Sequence, residues 1–316
     1  MKILITGGTG YIGSHIATLL LEAGNDVILL DNLTNSKKNV VSDIEFICES
    51  YPDGNIDFYR GDLMFKRDIE LVFDENEIDA VIHLANKTGF IDSLCPTDVF
   101  ENDIIGNTNL LSVMVSHNVK KLIYISSFFQ TEKANFTKAI IEKMLKQVFN
   151  LVPDMSIAVL KCPEVGGTHP STVLGYNRYN QYDCVLTSLI EQIIIEKNVE
   201  LSESDLVQRR PLIHVLDIAS IAINLLSYIK INSGVKYFDV NCEQKYSTKE
   251  IIEVLESICN EKIKLNITQK SVYSNEFNGC EPNDELYERI DFNAKYLLED
   301  ICSTTYRWFL RCGGTK

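Results

Sequence analysis

A glycine-rich turn follows the first apolar run of the chain. The stretch ITGGTGYIGSHIATLL places Gly7, Gly10 and Gly13 at intervals of three, just where a helical pattern begins. Glycine permits a tight turn and close approach to a pyrophosphate, and a helix N-terminus offers N–H groups and the positive end of a dipole. A glycine pattern alone is weak evidence, but this strand–turn–helix context predicts a dinucleotide site.

A carboxylate ends the next apolar run. Asp31 follows Gly13 by eighteen residues. At this place a carboxylate hydrogen-bonds the hydroxyls of an adenosine ribose and repels a 2′-phosphate, so we expect NAD rather than NADP. The alternative is a loop that only turns, with Asp31 capping the turn.

Elements that could position these groups alternate along the first half of the chain. The apolar runs are rich in Ile, Val and Leu without polar alternation, which is typical of strands covered on both faces. We predict strands over Lys2–Thr6, Asp26–Asp31, Ile56–Arg60, Asp79–Ala85, Lys121–Ser126 and Ser156–Lys161, and helices over Tyr11–Ala23, Phe65–Asn76, Val99–His117 and Thr137–Phe149. This repetition predicts an α/β fold with a Rossmann-type doubly wound parallel sheet.

The pattern loosens after about residue 165. Residues 166–182 are rich in Gly, Asn, Tyr and Ser and predict a loop. Further helices are predicted at Val185–Lys197, Leu216–Ile229 and Lys249–Cys259, and a further strand at Val235–Cys242. We predict a cofactor domain from 1–165 plus about 213–245, and a smaller α+β substrate domain from about 166–212 and 246–316.

The composition argues against several classes of function. The chain has 316 residues and a net charge of −14, which opposes binding to nucleic acid or an anionic membrane. Its apolar runs are too short to span a bilayer, and we recognise no secretion signal. Nine cysteines and five histidines are scattered singly. We therefore expect a cytoplasmic protein with free thiols and no metal centre.

Several stretches resemble the extended short-chain dehydrogenase/reductase family, in particular its NAD-dependent epimerase/dehydratase group, which includes the UDP-galactose 4-epimerases. They cover nearly the whole chain and are densest in its first 125 residues: TGGTGYIG, LDNLTNS, RGDL, VIHLA, NDIIGNTNLL, RRPLIHVLDIA and YRWFL.

The resemblance implies a set of contacts with NAD. At the pyrophosphate it implies Gly7, Gly10, Tyr11, Ile12 and Gly13. Around the adenosine ribose and adenine it implies Asp31, Asn32, Asn35, Ser36, Asp62 and Leu63. Over the rest of the dinucleotide it implies Leu84, Ala85, Lys87, Asp103 (where the family has Asn) and Lys138.

The resemblance also implies a proton-transfer site in the stretch ISSFFQTEKANFTKAIIEK. In the family a tyrosine with a lowered pKa takes a hydroxyl proton, helped by a lysine and a serine. Ser127 and Lys138 match the serine and the lysine, but Ala134 stands at the tyrosine position and the segment before it is much shortened. Candidates for a substitute base are Glu132, Lys133, Tyr124 and, first among them, Glu164. The alternative interpretation, which we favour for Glu164, is a solvated loop carboxylate.

The substrate side departs from the family too. Arg210 matches one of its two diphosphate-binding arginines, whereas Glu281 replaces the other and Pro163 replaces a diphosphate-contacting Asn. A carboxylate there would repel a diphosphate. The stretch Thr168–Asp183 could line a pocket or form a surface loop.

Two functions are consistent with these residues. One is an NAD-dependent nucleotide-sugar epimerase, dehydratase or dehydrogenase with weak or altered redox chemistry. The other is a non-catalytic NAD-binding protein that acts as a structural or regulatory partner of another protein. The resemblance further implies a homodimer that pairs through the two long helices at Val99–His117 and Thr137–Phe149.

Overall fold

Two groups of strands build the protein. The computed structural model describes residues 1–36, 38–51, 53–85, 96–127, 132–176, 184–196, 198–240, 245–269, 271, 289–290 and 292–313, with only the backbone described at 96–100 and 132–136. The strands are β1 (Lys2–Thr6), β2 (Asp26–Asp31), β3 (Ile56–Arg60), β4 (Ala80–His83), β5 (Lys121–Ser127), β6 (Ser156–Cys162), β7 (Glu164–Gly166), β8 (Asn198–Ser202), β9 (Arg209–His214), β10 (Gly234–Asp239), β11 (Lys245–Ser247) and β12 (Lys264–Thr268).

The main sheet has seven strands in the order β3-β2-β1-β4-β5-β6-β10. Every neighbouring pair in it is parallel. The strand order runs outwards in both directions from β1, as in a doubly wound fold, and so the predicted fold class is confirmed.

Helices cover both faces of this sheet. They are α1 (Tyr11–Glu22), α2 (Asn39–Cys48), α3 (Lys66–Glu75), α4 (Pro96–Ser116), α5 (Glu132–Leu151), α6 (Val185–Glu191), α7 (Glu203–Val207), α8 (Val215–Ile231), α9 (Thr248–Cys259) and α10 (Leu298–Gly313). Ile3 and Ile5 of β1 pack in the core under α1 and α8, while Leu4 packs in the core under α3, α4 and α5. Successive strand residues face opposite sides, so β1 needs apolar residues throughout.

The strands of the two smaller sheets all follow β6 along the chain. A three-stranded sheet has the order β11-β9-β7, and β8 pairs with β12. Apolar side chains of α6, α9 and α10 form a third core with residues of β8 and β9. We call these strands and helices the smaller α+β unit; the predicted domain boundaries at about 166, 212 and 246 stay a prediction.

Several predicted bounds were wrong. The helix predicted over Val185–Lys197 is α-helical only to Glu191 and continues as a π-helix over Gln192–Glu196. The helix predicted from Thr137 begins at Glu132.

Within the described part of the chain, no helix is long and apolar enough to cross a membrane. The same residues contain no cluster of three His, Cys, Asp or Glu that could hold a metal.

Candidate functional site

The glycine-rich turn packs between β1, β4 and the start of α1. Gly7 has a φ of 69°, and a Cβ on it would lie 3.0 Å from the backbone nitrogen of Ala85. A Cβ on Gly13 would lie 2.4 Å from the carbonyl oxygen of Gly7. Gly7 is therefore required by its conformation and Gly13 by close packing. Both keep the turn at the carboxyl ends of the parallel strands, where open α/β sheets bind ligands.

A cavity opens over this edge of the sheet. Ten of the residues predicted to contact the cofactor line it: Gly7, Gly10, Asp31, Asn32, Asn35, Ser36, Asp62, Leu63, Leu84 and Ala85. Four residues that sequence reasoning did not assign complete the lining: Leu30, Thr34, Gly61 and Asn102. Each is a sequence neighbour of an assigned residue, which is the signal that could have found it.

The carboxylate of Asp31 joins the glycine turn to the loop after β2. One oxygen accepts a hydrogen bond from the Thr9 N–H over 3.2 Å. The other accepts from the Leu33 N–H over 2.9 Å and from the Ser36 hydroxyl over 3.2 Å. Asp31 thus caps a turn, as the alternative interpretation held, and it also lines the cavity.

A second carboxylate, that of Asp62, holds the part of the cavity wall that follows β3. The side-chain amide of Asn32 donates to Asp62 over 2.9 Å, and the Met64 N–H donates to the other oxygen of Asp62 over 2.9 Å. A Cβ on Gly61 would lie 2.9 Å from a methyl carbon of Leu30, so the Leu30 side chain packs closely on the backbone of Gly61. The two walls lie on neighbouring strands, because β2 and β3 pair in parallel.

Lys138 and Ser127 meet at the end of β5. The Lys138 ammonium donates to the Ser127 hydroxyl oxygen over 2.6 Å and to the Ser127 carbonyl over 3.3 Å. Lys138 is 8% exposed. Burial lowers the pKa of Lys138 to about 8, although the negative charges of Asp103 and Glu142 raise it. A buried amine that titrates near neutral pH can exchange a proton with a hydroxyl.

Comparison with known proteins identifies the family of this chain. The sequence matches the NAD dependent epimerase/dehydratase family over residues 3–237. The chain belongs to this family. It is 31% identical to the UDP-glucose 4-epimerase of Yersinia enterocolitica, over 98% of this chain and 97% of that protein. It is 27% identical to the UDP-glucose 4-epimerase of Bacillus subtilis, over 98% and 96% respectively.

A solved relative shares the whole architecture. It is the UDP-glucose 4-epimerase of Bifidobacterium longum in complex with NAD+ and UDP, which superimposes with a TM-score of 0.86 at 26% identity and full coverage of both chains. NAD is the cofactor of the family, and the described residues fit it. Gly7 and Gly10 line the cavity without side chains, as close approach of a pyrophosphate requires, and the Asp31 carboxylate borders the cavity that would hold the adenosine.

The side chain of Tyr11 makes buried contacts that the sequence did not reveal. Its side chain is 6% exposed and stacks on the ring of Tyr176 with centroids 4.1 Å apart. Its hydroxyl donates to the Gly167 carbonyl over 2.6 Å. The predicted pyrophosphate contacts of Tyr11 and Ile12 would therefore come from backbone N–H groups of the first helical turn, which point towards the helix N-terminus.

Glu164 is buried, so the alternative of a solvated loop carboxylate is wrong. It is 8% exposed and accepts a hydrogen bond from the Val185 N–H over 2.7 Å. Burial raises the pKa of Glu164, while the Cys184 thiol and the charge of Arg210 oppose the rise. Arg210 is 4% exposed and donates to the Gln208 side chain over 2.7 Å. The described contacts of Glu164 are thus at the start of α6, whereas those of Lys138 are with Ser127.

The remaining predicted residues have different outcomes. Asp103 is 1% exposed and its charge acts on Lys138, so a cation offsets the carboxylate that stands in the place of the family's Asn. Tyr124 is 1% exposed in the core beneath α4 and α5. The following lie outside the described residues: Lys87, Glu281 and the side chains of Glu132, Lys133 and Ala134.

Proposed function

We propose that this protein binds NAD and a nucleotide sugar, and that it carries out redox chemistry at a sugar carbon without the family's tyrosine. The contact between Lys138 and Ser127 supports this proposal most directly. These two groups lie at the same edge of the sheet as the cofactor cavity, because β5 runs parallel to its neighbours.

The roles of the residues follow from the chemistry. When NAD is bound, it supplies the hydride acceptor. Ser127 positions the oxygen of the sugar, and Lys138 binds on the side of the nicotinamide ribose. Acid–base assistance is worth about 10² to 10⁴ in rate, or roughly 3–5 kcal/mol of barrier. An alanine in place of the tyrosine therefore implies slow or altered turnover, with Glu164 as a second candidate for the proton-transfer group.

We propose a UDP-sugar as the substrate class. The Bifidobacterium longum relative was solved with UDP. Arg210, which matches a diphosphate-binding arginine, would meet the diphosphate, although the neighbouring Glu164 carboxylate reduces the attraction. We expect weaker binding than a site with an unopposed arginine would give.

Identification of the bound nucleotide tests this proposal. Protein purified and then denatured should release NAD in a ratio close to one per chain. Incubation with a panel of UDP-sugars should give NADH absorbance or an epimer, and Arg210→Gln should raise the KM. Protein that neither releases NAD nor binds added NAD would contradict the proposal.

The second candidate is a non-catalytic NAD-binding protein, which the alanine at position 134 favours. It predicts full NAD occupancy, no reduction of NAD by any sugar nucleotide and, for a regulatory role, a hetero-partner. Turnover that is lost in Lys138→Met would exclude it.

We also propose a homodimer that pairs through α4 and α5. On α4, Ile105 and Val115 are 39% and 43% exposed. They lie on one exposed stripe at helical spacing with Glu101, Thr108 and Ser112. Sedimentation should show a dimer that Ile105→Glu dissociates, whereas Leu71→Glu on α3 should leave it intact.

A further inference from the structure

We infer that Ser127 and Lys138 form a proton relay, in which the neutral amine of Lys138 accepts the proton that the family's tyrosine would take. This inference deepens the proposed function and rests on it. It assigns to Lys138 a role beyond binding the nicotinamide ribose.

The contact between Lys138 and Ser127 carries the inference. The Lys138 nitrogen and the Ser127 hydroxyl oxygen are 2.6 Å apart, within the distance over which a proton passes between hydrogen-bonded groups. Lys138 is 8% exposed, so bulk water does not fully solvate its charge. Serine–lysine pairs of this kind are a general solution for moving a hydroxyl proton.

Asp103 is a buried carboxylate whose charge raises the pKa of Lys138. Its side chain is 1% exposed on α4, and it receives a hydrogen bond from the Asn102 amide over 3.2 Å. Among the charges that act on Lys138, that of Asp103 raises its pKa most, ahead of Glu142. Glu142 also pairs with Lys161 over 3.3 Å, and so its charge is shared.

Two opposing effects set the protonation of Lys138. Burial lowers its pKa, while Asp103 on α4 and Glu142 on α5 raise it. On β6, Lys161 lowers the pKa further and Cys162 raises it. The resulting pKa of about 8 makes both the neutral and the charged amine accessible near neutral pH.

Oxidation of the sugar transfers one proton to the relay and one hydride to NAD+. The O–H bond of the substrate breaks and its proton passes to the Ser127 oxygen, while the proton of Ser127 passes to the electron pair of the Lys138 nitrogen. The C–H bond at the same carbon breaks, and the hydrogen leaves with its electron pair as a hydride to NAD+. The sugar carbon is oxidised, NAD+ is reduced and Lys138 becomes an ammonium. Reduction of the ketone reverses each transfer.

Titration of Lys138 in the purified protein tests the relay without substrate. In protein labelled with ¹³C at the lysine Cε, the resonance that disappears in Lys138→Met belongs to Lys138. We expect its midpoint at about 8. We expect Asp103→Asn, which removes the carboxylate that raises the pKa, to move the midpoint to lower pH. A midpoint near the ordinary lysine value of about 10.4 would overturn the relay.

Single-turnover reduction of bound NAD by a UDP-sugar supplies the second readout. The rate should rise as the pH increases through about 8, because only the neutral amine accepts a proton. Asp103→Asn should move this rise to lower pH, and Lys138→Met should slow the step about 100-fold or more. The control Lys143→Met, an exposed lysine of α5, should change neither.

The two proposals fail in distinguishable ways. Reduction of NAD whose pH dependence is the same in wild type and Asp103→Asn would overturn the relay and leave the proposed function standing. Failure to bind NAD would overturn the proposed function, whatever the Lys138 titration shows.

Discussion

The hydroxyl of Tyr11 donates a hydrogen bond of 2.6 Å to the carbonyl oxygen of Gly167. Tyr11 directly follows the glycine turn, and Gly167 directly follows β7. One buried contact therefore connects the cofactor side of the protein to the smaller α+β unit. The ring of Tyr176 stacks on Tyr11, with its centroid 6.1 Å from that of Trp308 on α10, so the connection extends to the last helix.

Removal of this hydroxyl should destabilise the protein. Tyr11→Phe keeps the ring but leaves the Gly167 carbonyl without its donor, which costs about 1–3 kcal/mol for a buried group. Urea denaturation should show the loss in the free energy of unfolding. Tyr51→Phe, at a tyrosine that is 46% exposed, is the control and should change it little. Equal stabilities of the two variants would contradict the structural role of the contact.

Asp31 should determine both the affinity for NAD and the discrimination against NADP. Asp31→Asn removes the charge that repels a 2′-phosphate and weakens hydrogen bonds worth about 1.5–3 kcal/mol each when one partner is charged. Calorimetry should show NAD bound about 10-fold to 100-fold more weakly, and a smaller preference for NAD over NADP. Asp57→Asn on the exposed side of β3 is the matched control. An unchanged preference would place the determinant elsewhere.

The main sheet could be predicted from sequence, while the smaller sheets could not. Strands such as β1 and β2 are buried on both faces and therefore form continuous apolar runs. Helix α2 was missed because only Ile44 and Cys48 of it are buried, which leaves a weak apolar pattern. Strand β7 has only three residues, and it pairs with β9 across 48 residues of chain, so this pairing depends on tertiary contacts.

In the candidate site, too, residues in short local motifs could be predicted from the sequence, whereas contacts between distant residues could not. Sequence reasoning found most of the cavity lining because the residues lie in short motifs at the ends of strands. It could not find the burial of Glu164. That carboxylate is accommodated by the Val185 N–H and by the charge of Arg210, which lie 21 and 46 residues further along the chain.

His83 should make the protein less stable in mild acid. The Thr6 hydroxyl lies 2.5 Å from its Nδ1, and its Nε2 lies 3.1 Å from the side-chain oxygen of Asn107. These contacts fit a neutral ring, and burial lowers the pKa of His83 to about 4. Below pH 6.5 the unfolded chain binds a proton that the folded protein does not, so stability falls until the pH reaches about 4.

The expected size of this effect is measurable. Protonation of His83 in the unfolded chain should make the free energy of unfolding about 2 kcal/mol lower at pH 5 than at pH 7. His83→Gln should make the free energy of unfolding less dependent on pH. His117→Gln, at a histidine whose pKa is raised by Asp74, should not remove this loss. A wild type and a His83→Gln variant with the same pH dependence would contradict the buried neutral ring.

Gly13→Ala should abolish cofactor binding. Its Cβ would lie 2.4 Å from the Gly7 carbonyl oxygen, so the turn must move. We expect a lower melting temperature and loss of NAD from the purified protein. Gly24→Asn is the control, because an added Cβ there finds its nearest atom at 3.8 Å and asparagine tolerates the positive φ of 73°. NAD retained in Gly13→Ala at the level of wild type would contradict the role of the turn.

The central claim is that NAD is reduced at a site served by Ser127 and Lys138 in the absence of the family's tyrosine. The most direct measurement mixes NAD-loaded protein with UDP-sugars in single turnovers and follows the nicotinamide absorbance in wild type, Ser127→Ala and Lys138→Met. We expect reduction of NAD in wild type and a loss of about 100-fold or more in both variants, with NAD still bound. Reduction at the wild-type rate in both variants would contradict the claim.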